Sequence, residues 1–134
     1  KSHRAFVVHR SSIGAIERIM AFLIEKYAGA FPLWLAPVHV KILPIGEGHF
    51  LYATEVMDKL KAANIRVELD ISDETLGKKI RNYKTEKVPY ALVIGDKEVA
   101  EKKVTLESRD SGNLGPISPD ELVIKLKEEI SQRK

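Results

Sequence analysis

The sequence predicts an α/β fold with a mixed, largely parallel sheet covered by helices. Three observations carry this. From residue 38 onward, β-branched runs of period two alternate with stretches of helical period, in the order strand, helix, strand, helix, strand, short turn, strand, helix. Before residue 38 stand one strand-like run and one long apolar helix, too little to fold alone. Between the two parts runs Gly29-Ala30-Phe31-Pro32-Leu33-Trp34-Leu35-Ala36-Pro37, which holds the only Trp and two of the six Pro. A connector this apolar reads as packed, with Phe31, Leu33, Trp34 and Leu35 buried. Gly29 stops the helix before it, and Pro32 and Pro37 bias it toward extended backbone. The chain therefore divides into 1–37 and 38–134.

Each element has its own grounds. Residues 5–8, Ala-Phe-Val-Val, form a short β-branched and aromatic run that reads as a buried strand. Ser11 and Ser12 are N-cap candidates for a helix over 14–27. That helix is apolar around most of its circumference, so it reads as a core helix of something larger than its own segment. Residues 38–45 alternate as a central strand stopped by Pro44 and Gly46. Residues 49–63 carry helical periodicity, with Asn64 suited to a left-handed cap. Strand follows over 65–70, a basic helix over 74–83, and an apolar strand over 88–95. Asp96 and Lys97 read as a turn, Glu98 and Val99 as a brief return to the sheet, 104–109 as a strand and 110–115 as a polar loop. Ser118-Pro119-Asp120-Glu121 opens a last helix, with Ser as N-cap and Pro at the first helical position.

Composition bounds the function. With 134 residues, 44% hydrophobic and 31% charged, the chain suits one globular domain or one domain plus a fragment. The absence of cysteine excludes a disulfide framework, cysteine-based zinc sites within this chain and thiol catalysis, and is compatible with the cytoplasm. A net charge of +3 is mildly basic, which allows RNA binding without demanding it. No apolar run reaches membrane-spanning length, and the N-terminus lacks a signal-peptide pattern. Because the sequence starts without Met and directly in a strand-like run, it reads as a cut from a longer protein.

Few residues announce chemistry by themselves. No Gly-rich phosphate loop is present. His3 and His9 share a strand face, a spacing read either as a metal pair or as surface histidines. Arg18, beside Glu17 on the apolar helix, suits either a phosphate or a structural ion pair. Lys78, Lys79, Arg81, Lys84 and Lys87 surround Tyr83 and Tyr90. Cations with interleaved aromatics hold single-stranded RNA by phosphate contact and stacking, and the alternative is a solvated helix face.

Longer stretches are more specific. The run His9-Arg10-Ser11-Ser12-Ile13-Gly14-Ala15-Ile16-Glu17-Arg18 resembles motif 3 of class II aminoacyl-tRNA synthetases. Leu23-Ile24-Glu25-Lys26-Tyr27-Ala28-Gly29-Ala30-Phe31-Pro32-Leu33-Trp34-Leu35-Ala36-Pro37-Val38 narrows the resemblance to the threonyl-tRNA synthetase family. Lys79-Ile80-Arg81, Val88-Pro89-Tyr90 and Gly95-Asp96-Lys97-Glu98-Val99 follow in that family's order, so the resemblance covers essentially the whole chain.

The resemblance implies that 1–37 is the strand and helix ending a class II catalytic domain, and that 38–134 is the anticodon-binding domain. It implies an intact threonine–tRNA ligase of the cytoplasm, working as a homodimer with no membrane partner. That enzyme would activate threonine with ATP and Mg2+ and transfer it to tRNA(Thr). Arg18 would be the catalytic, ATP-binding arginine, and His9 the last ligand of a zinc ion whose other ligands lie upstream. Arg81, Lys87 and Glu98 match positions near the anticodon; Asp73 and Glu107 are further anticodon candidates. The chain departs from the family at Ser72-Asp73, where Arg-Asn is usual, and at Glu107, where Arg is usual. Ala15 stands where Ser is frequent and His39 where Gln is frequent. The chain alone is expected to be inactive. The alternative reading is a non-catalytic RNA- or protein-binding module derived from such an anticodon-binding domain.

Overall fold

The structure is a computed structural model and describes residues 3–133. Its centre is β1 (Val40–Pro44), buried at every residue as an apolar strand flanked on both sides must be. Lys41 joins that burial by pairing its ammonium with Glu86 at 2.5 Å. β2 (Val67–Leu69) and β3 (Tyr90–Ile94) pair with β1 in parallel, one on each side. β4 (Val104–Ser108) runs antiparallel to β3, and β5 (Gly112–Ile117) antiparallel to β4. The sheet order is β2-β1-β3-β4-β5. The sheet is mixed as expected, but its parallel character stops at β3. Only 95–103 join β3 to β4, fewer than the dozen or so residues that a parallel crossover needs.

Helices cover the two faces unequally. α2 (Phe50–Ala62) and α5 (Pro119–Ser131) place Ala53, Val56, Leu60, Leu122 and Leu126 on one face, against Val40, Ile42, Leu92, Val104 and Leu106. α3 (Leu76–Thr85) covers the other face through Tyr83 and Ile80, packed on Leu43, Val88 and Ala91. Thr105 and Glu107 alternate with the buried Val104, Leu106 and Ser108, and are partly buried beside α3. Ser118 accepts from Glu121 N at 3.3 Å, closing the expected capping box of α5. Asn64 takes the left-handed φ of 61° expected of it.

Four local expectations are corrected. Residues 5–8 form no strand and lie exposed, because a strand exists only beside a partner and none of the described strands adjoins them. The first helix, α1 (Ile16–Tyr27), has no side-chain cap; the Ser11 hydroxyl accepts instead from Gly14 N at 3.1 Å. Glu98 and Val99 lie in α4 (Asp96–Glu101), since the Glu98 carboxylate accepts from Gly95 N at 2.9 Å and so caps a helix start. The segment expected as a loop over 110–115 becomes part of β5. Gly112 and Gly115 take φ of 72° and 91°, a register shift falls at Leu106/Glu107, and Pro116 is tolerated because β5 is the edge.

The connector also differs from its expected extended form. Leu35 N and Ala36 N both donate to Pro32 O at 3.0 Å, closing a tight turn. Leu33 is fully buried, whereas Phe31, Trp34 and Leu35 are half-buried. The Arg66 guanidinium holds this turn, donating to Ala36 O at 2.7 and 3.0 Å and to Trp34 O at 3.2 Å. Among the described residues no helix is long and apolar enough to cross a membrane.

Candidate nucleic-acid interface

Chain direction decides where functional groups can gather. β1, β2 and β3 are parallel, and the chain leaves β1 to one side for β2 and to the other for β3. Such a reversal opens a crevice at the carboxyl ends of the strands. Here the loops after β1 and β3 interlock. His49 Nδ1 accepts from Gly46 N at 3.1 Å, so its Nε2–H donates to Asp96 Oδ1 at 2.9 Å. At Gly95 an added Cβ would lie 2.7 Å from Ile45 Cδ1, so any larger residue there would have to displace the Ile45 side chain.

Beyond this rim the sheet face beside α3 is polar. Glu98 stands at its upper end and lines a cavity of about 130 Å³ with Lys97, Glu101, Lys103, Thr105 and Pro116. Both Glu98 oxygens are anchored, one by Gly95 N at 2.9 Å and the other by the Thr105 hydroxyl at 2.7 Å. Burial would raise its pKa, but these hydrogen bonds outweigh burial and hold the carboxyl below its usual range. Glu107, on the same face of β4, pairs with Lys84 at 3.1 Å. Burial, with Glu107 beside it, pushes the Tyr83 phenol upward.

The basic group is mostly committed internally. Lys78 pairs with Glu74 at 2.7 Å and Lys84 with Glu107. Lys79 is buried and donates to Pro44 O at 3.1 Å, closing the end of β1. Lys87 donates to Ala28 O at the end of α1. Arg81 is exposed, and among the described residues its guanidinium has no partner. Tyr83 and Tyr90 are buried, and the Tyr90 hydroxyl donates to Glu129 at 2.9 Å, so neither offers a stacking surface. Among the described residues, the sequence pattern of cations and aromatics therefore reduces to one free cation, Arg81.

The remaining candidates are dispersed. Asp73 is exposed in the loop before α3 and lines a cleft of about 50 Å³ with Ile45, Phe50 and Lys79. Lys87 precedes β3 while Glu98 follows it, so the two stand at opposite ends of that strand. Arg18 is exposed on α1, far along the chain from the polar face, and His9 is exposed in irregular backbone. Among the described residues no three His, Cys, Asp or Glu side chains gather to hold a metal, so His9 does not make a zinc site in this chain. A larger cavity of about 290 Å³ lies between connector and domain, lined by Tyr27, Leu33, Tyr90, Arg109 and Glu129. Its charged groups are paired internally, and of the candidate residues only the buried Tyr90 lines it. Sequence reading missed Thr105 and the His49–Asp96 clasp. The alternation of 104–109 was the available signal for Thr105; no local pattern joins residues 49 and 96.

Fold and face together define a class: an α/β domain with helices on both sides of a mixed sheet and a polar face left open beside one helix. The chain belongs to the anticodon-binding domain family, which matches residues 39–129. It is 48% identical over 133 residues to a threonine–tRNA ligase of Caldanaerobacter subterraneus subsp. tengcongensis, covering 99% of this chain and 21% of that protein. A threonine–tRNA ligase of Clostridium botulinum is equally similar, with the same coverage. The chain thus spans about a fifth of the length of the curated relatives it matches. A crystal structure of the RNA-binding domain of threonyl-tRNA synthetase from Cryptosporidium parvum Iowa II superposes with a TM-score of 0.81 at 35% identity, covering 87% of this chain and 29% of that one.

Proposed function

We propose that residues 38–134 bind the anticodon loop of tRNA(Thr), as part of a threonine–tRNA ligase that activates threonine with ATP and Mg2+ and transfers it to that tRNA. The observation that carries this reading is the likeness to threonine–tRNA ligases over 133 residues. The open face of β4 supplies suitable chemistry. Glu98 and Glu107 are acceptors for base N–H donors, and Arg81 is a free cation for phosphate or a base acceptor. Asp73 adds an acceptor at the rim. Lys87, engaged with Ala28, is left with contact to the RNA backbone.

In the same reading, 1–37 ends the catalytic domain. The exposed apolar residues of α1 would then be covered by the rest of that domain. Arg18 would be its catalytic cation, stabilising ATP phosphate charge as pyrophosphate leaves. His9 would contribute one ligand to a zinc site completed outside this chain. The intact enzyme would be a cytoplasmic homodimer.

The test is titration of the chain with an RNA stem-loop carrying the threonine anticodon, and with the same loop after anticodon exchange. Binding is expected to favour the threonine loop. Arg81→Ala and Glu98→Ala are each expected to weaken it by about 1–3 kcal/mol. Equal affinity of both variants and the parent for the threonine loop would count against these assignments.

A further inference from the structure

We propose that Thr105 is a positioning residue that sets the Glu98 carboxylate for recognition of a base edge bearing N–H donors. The inference rests on the reading of Glu98 given above and adds a residue which that reading does not contain. A glutamate at the mouth of a cavity is ordinarily free to turn about its side-chain bonds, and freezing it on binding lowers affinity. Here it is already fixed. Gly95 N reaches Oε2 from the junction of β3 and α4, and the Thr105 hydroxyl reaches Oε1 from β4. Two donors from two different elements define the plane of the carboxylate.

The donors leave capacity for a ligand. An ionised carboxylate has about four lone-pair sites, and two are used by these contacts. Neither donor is charged, and no ion pair neutralises Glu98 among the described residues, in contrast to Glu107 with Lys84. Lys97 and Glu101 of α4 and Lys103 before β4 are the charged groups around the cavity; Pro116 walls it from β5. Thr105 lies opposite Pro116 in the β4–β5 register and opposite Val93 in the β3–β4 register, so its backbone is held on both sides. The hydroxyl thus reaches Glu98 from a strand paired on both sides.

The experiment compares the chain with Thr105→Val, Thr105→Ser and Glu98→Gln. Valine keeps the strand preference and removes the hydroxyl; serine restores it. In the free chain, an NMR titration should show the Glu98 carboxyl rising toward its ordinary value in Thr105→Val and returning in Thr105→Ser. In stem-loop binding, Thr105→Val should lose about fivefold in affinity, with serine within about twofold of the parent, the scale of one hydrogen bond. The pH at which binding fails on acidification should move up in the valine variant alone. If Thr105→Val leaves both the titration and the affinity unchanged while Glu98→Gln impairs binding, the positioning role is overturned and the anticodon reading survives. If Glu98→Gln also binds as the parent does, the positioning role and the assignment of Glu98 to a base edge are both overturned.

Discussion

α1 and α5 are nearly equal in length, 12 and 13 residues, and opposite in fate. α1 is the more apolar, yet none of its residues is buried, and Ile16, Met20, Phe22 and Ile24 lie largely exposed. α5 is rich in charge, yet Leu122 and Leu126 are completely covered. The difference is the partner surface. α5 returns over a sheet with open apolar positions at Leu92, Val104 and Leu106, whereas α1 is followed by a connector that holds itself to the domain without drawing the helix down. Apolar composition states that a helix seeks burial; only a complementary face grants it.

The comparison breaks most sharply on truncation of side chains. Leu122→Ala is expected to destabilise the chain by about 2–5 kcal/mol, because it empties a closed core. Phe22→Ala should stay within about 0.5 kcal/mol, as for an exposed site. Chemical denaturation of both variants measures the contrast; a large loss from Phe22→Ala would mean that α1 is packed in solution.

A second contrast lies at the seam between connector and sheet. His39 is buried; its Nδ1 accepts from Arg66 N at 3.2 Å and its Nε2 has no partner among the described residues. Burial, and then the Arg66 charge, lowers its pKa from 6.5 to about 4. Above about pH 6.5 the residue is neutral whether folded or unfolded and stability does not depend on it. Below that, the unfolded chain takes up a proton which the folded chain refuses, so stability falls until about pH 4. The loss attributable to His39 over this window is roughly 3 kcal/mol. Melting against pH should therefore be flatter between pH 6.5 and 4 in His39→Gln than in the parent; identical slopes would refute the assignment.

The smallest contrast concerns helix starts. Ser118→Ala removes a formed capping box and should lower stability by about 1 kcal/mol. Ser12→Ala, on a residue that caps nothing, should fall within about 0.5 kcal/mol of zero. Equal effects would show that α1 acquires a serine cap in solution.

Local signals were legible wherever the chemistry was local. The Ser118-Pro119-Asp120-Glu121 cap, the left-handed Asn64 and the alternation of β4 all appear as the residues imply, whereas β1, expected to alternate, is buried throughout. Legibility failed where distant partners decide. β5 exists through its bonds to β4 despite two glycines and a proline, and residues 5–8 form no strand despite a suitable run. The candidate face divides in the same way. Glu98 and Arg81 were reached through resemblance, but the commitment of Lys79 to Pro44 O and of Lys84 to Glu107 depends on contacts across the fold.

By itself the sequence determined the order and kind of most elements, the family and the residues available for recognition, because periodicity, caps and motif order are properties of neighbours along the chain. The tertiary structure alone decided which cations remain free, which face of the sheet stays open and how Glu98 is held. Those are matters of hydrogen bonding and burial between residues brought together only when the strands pair.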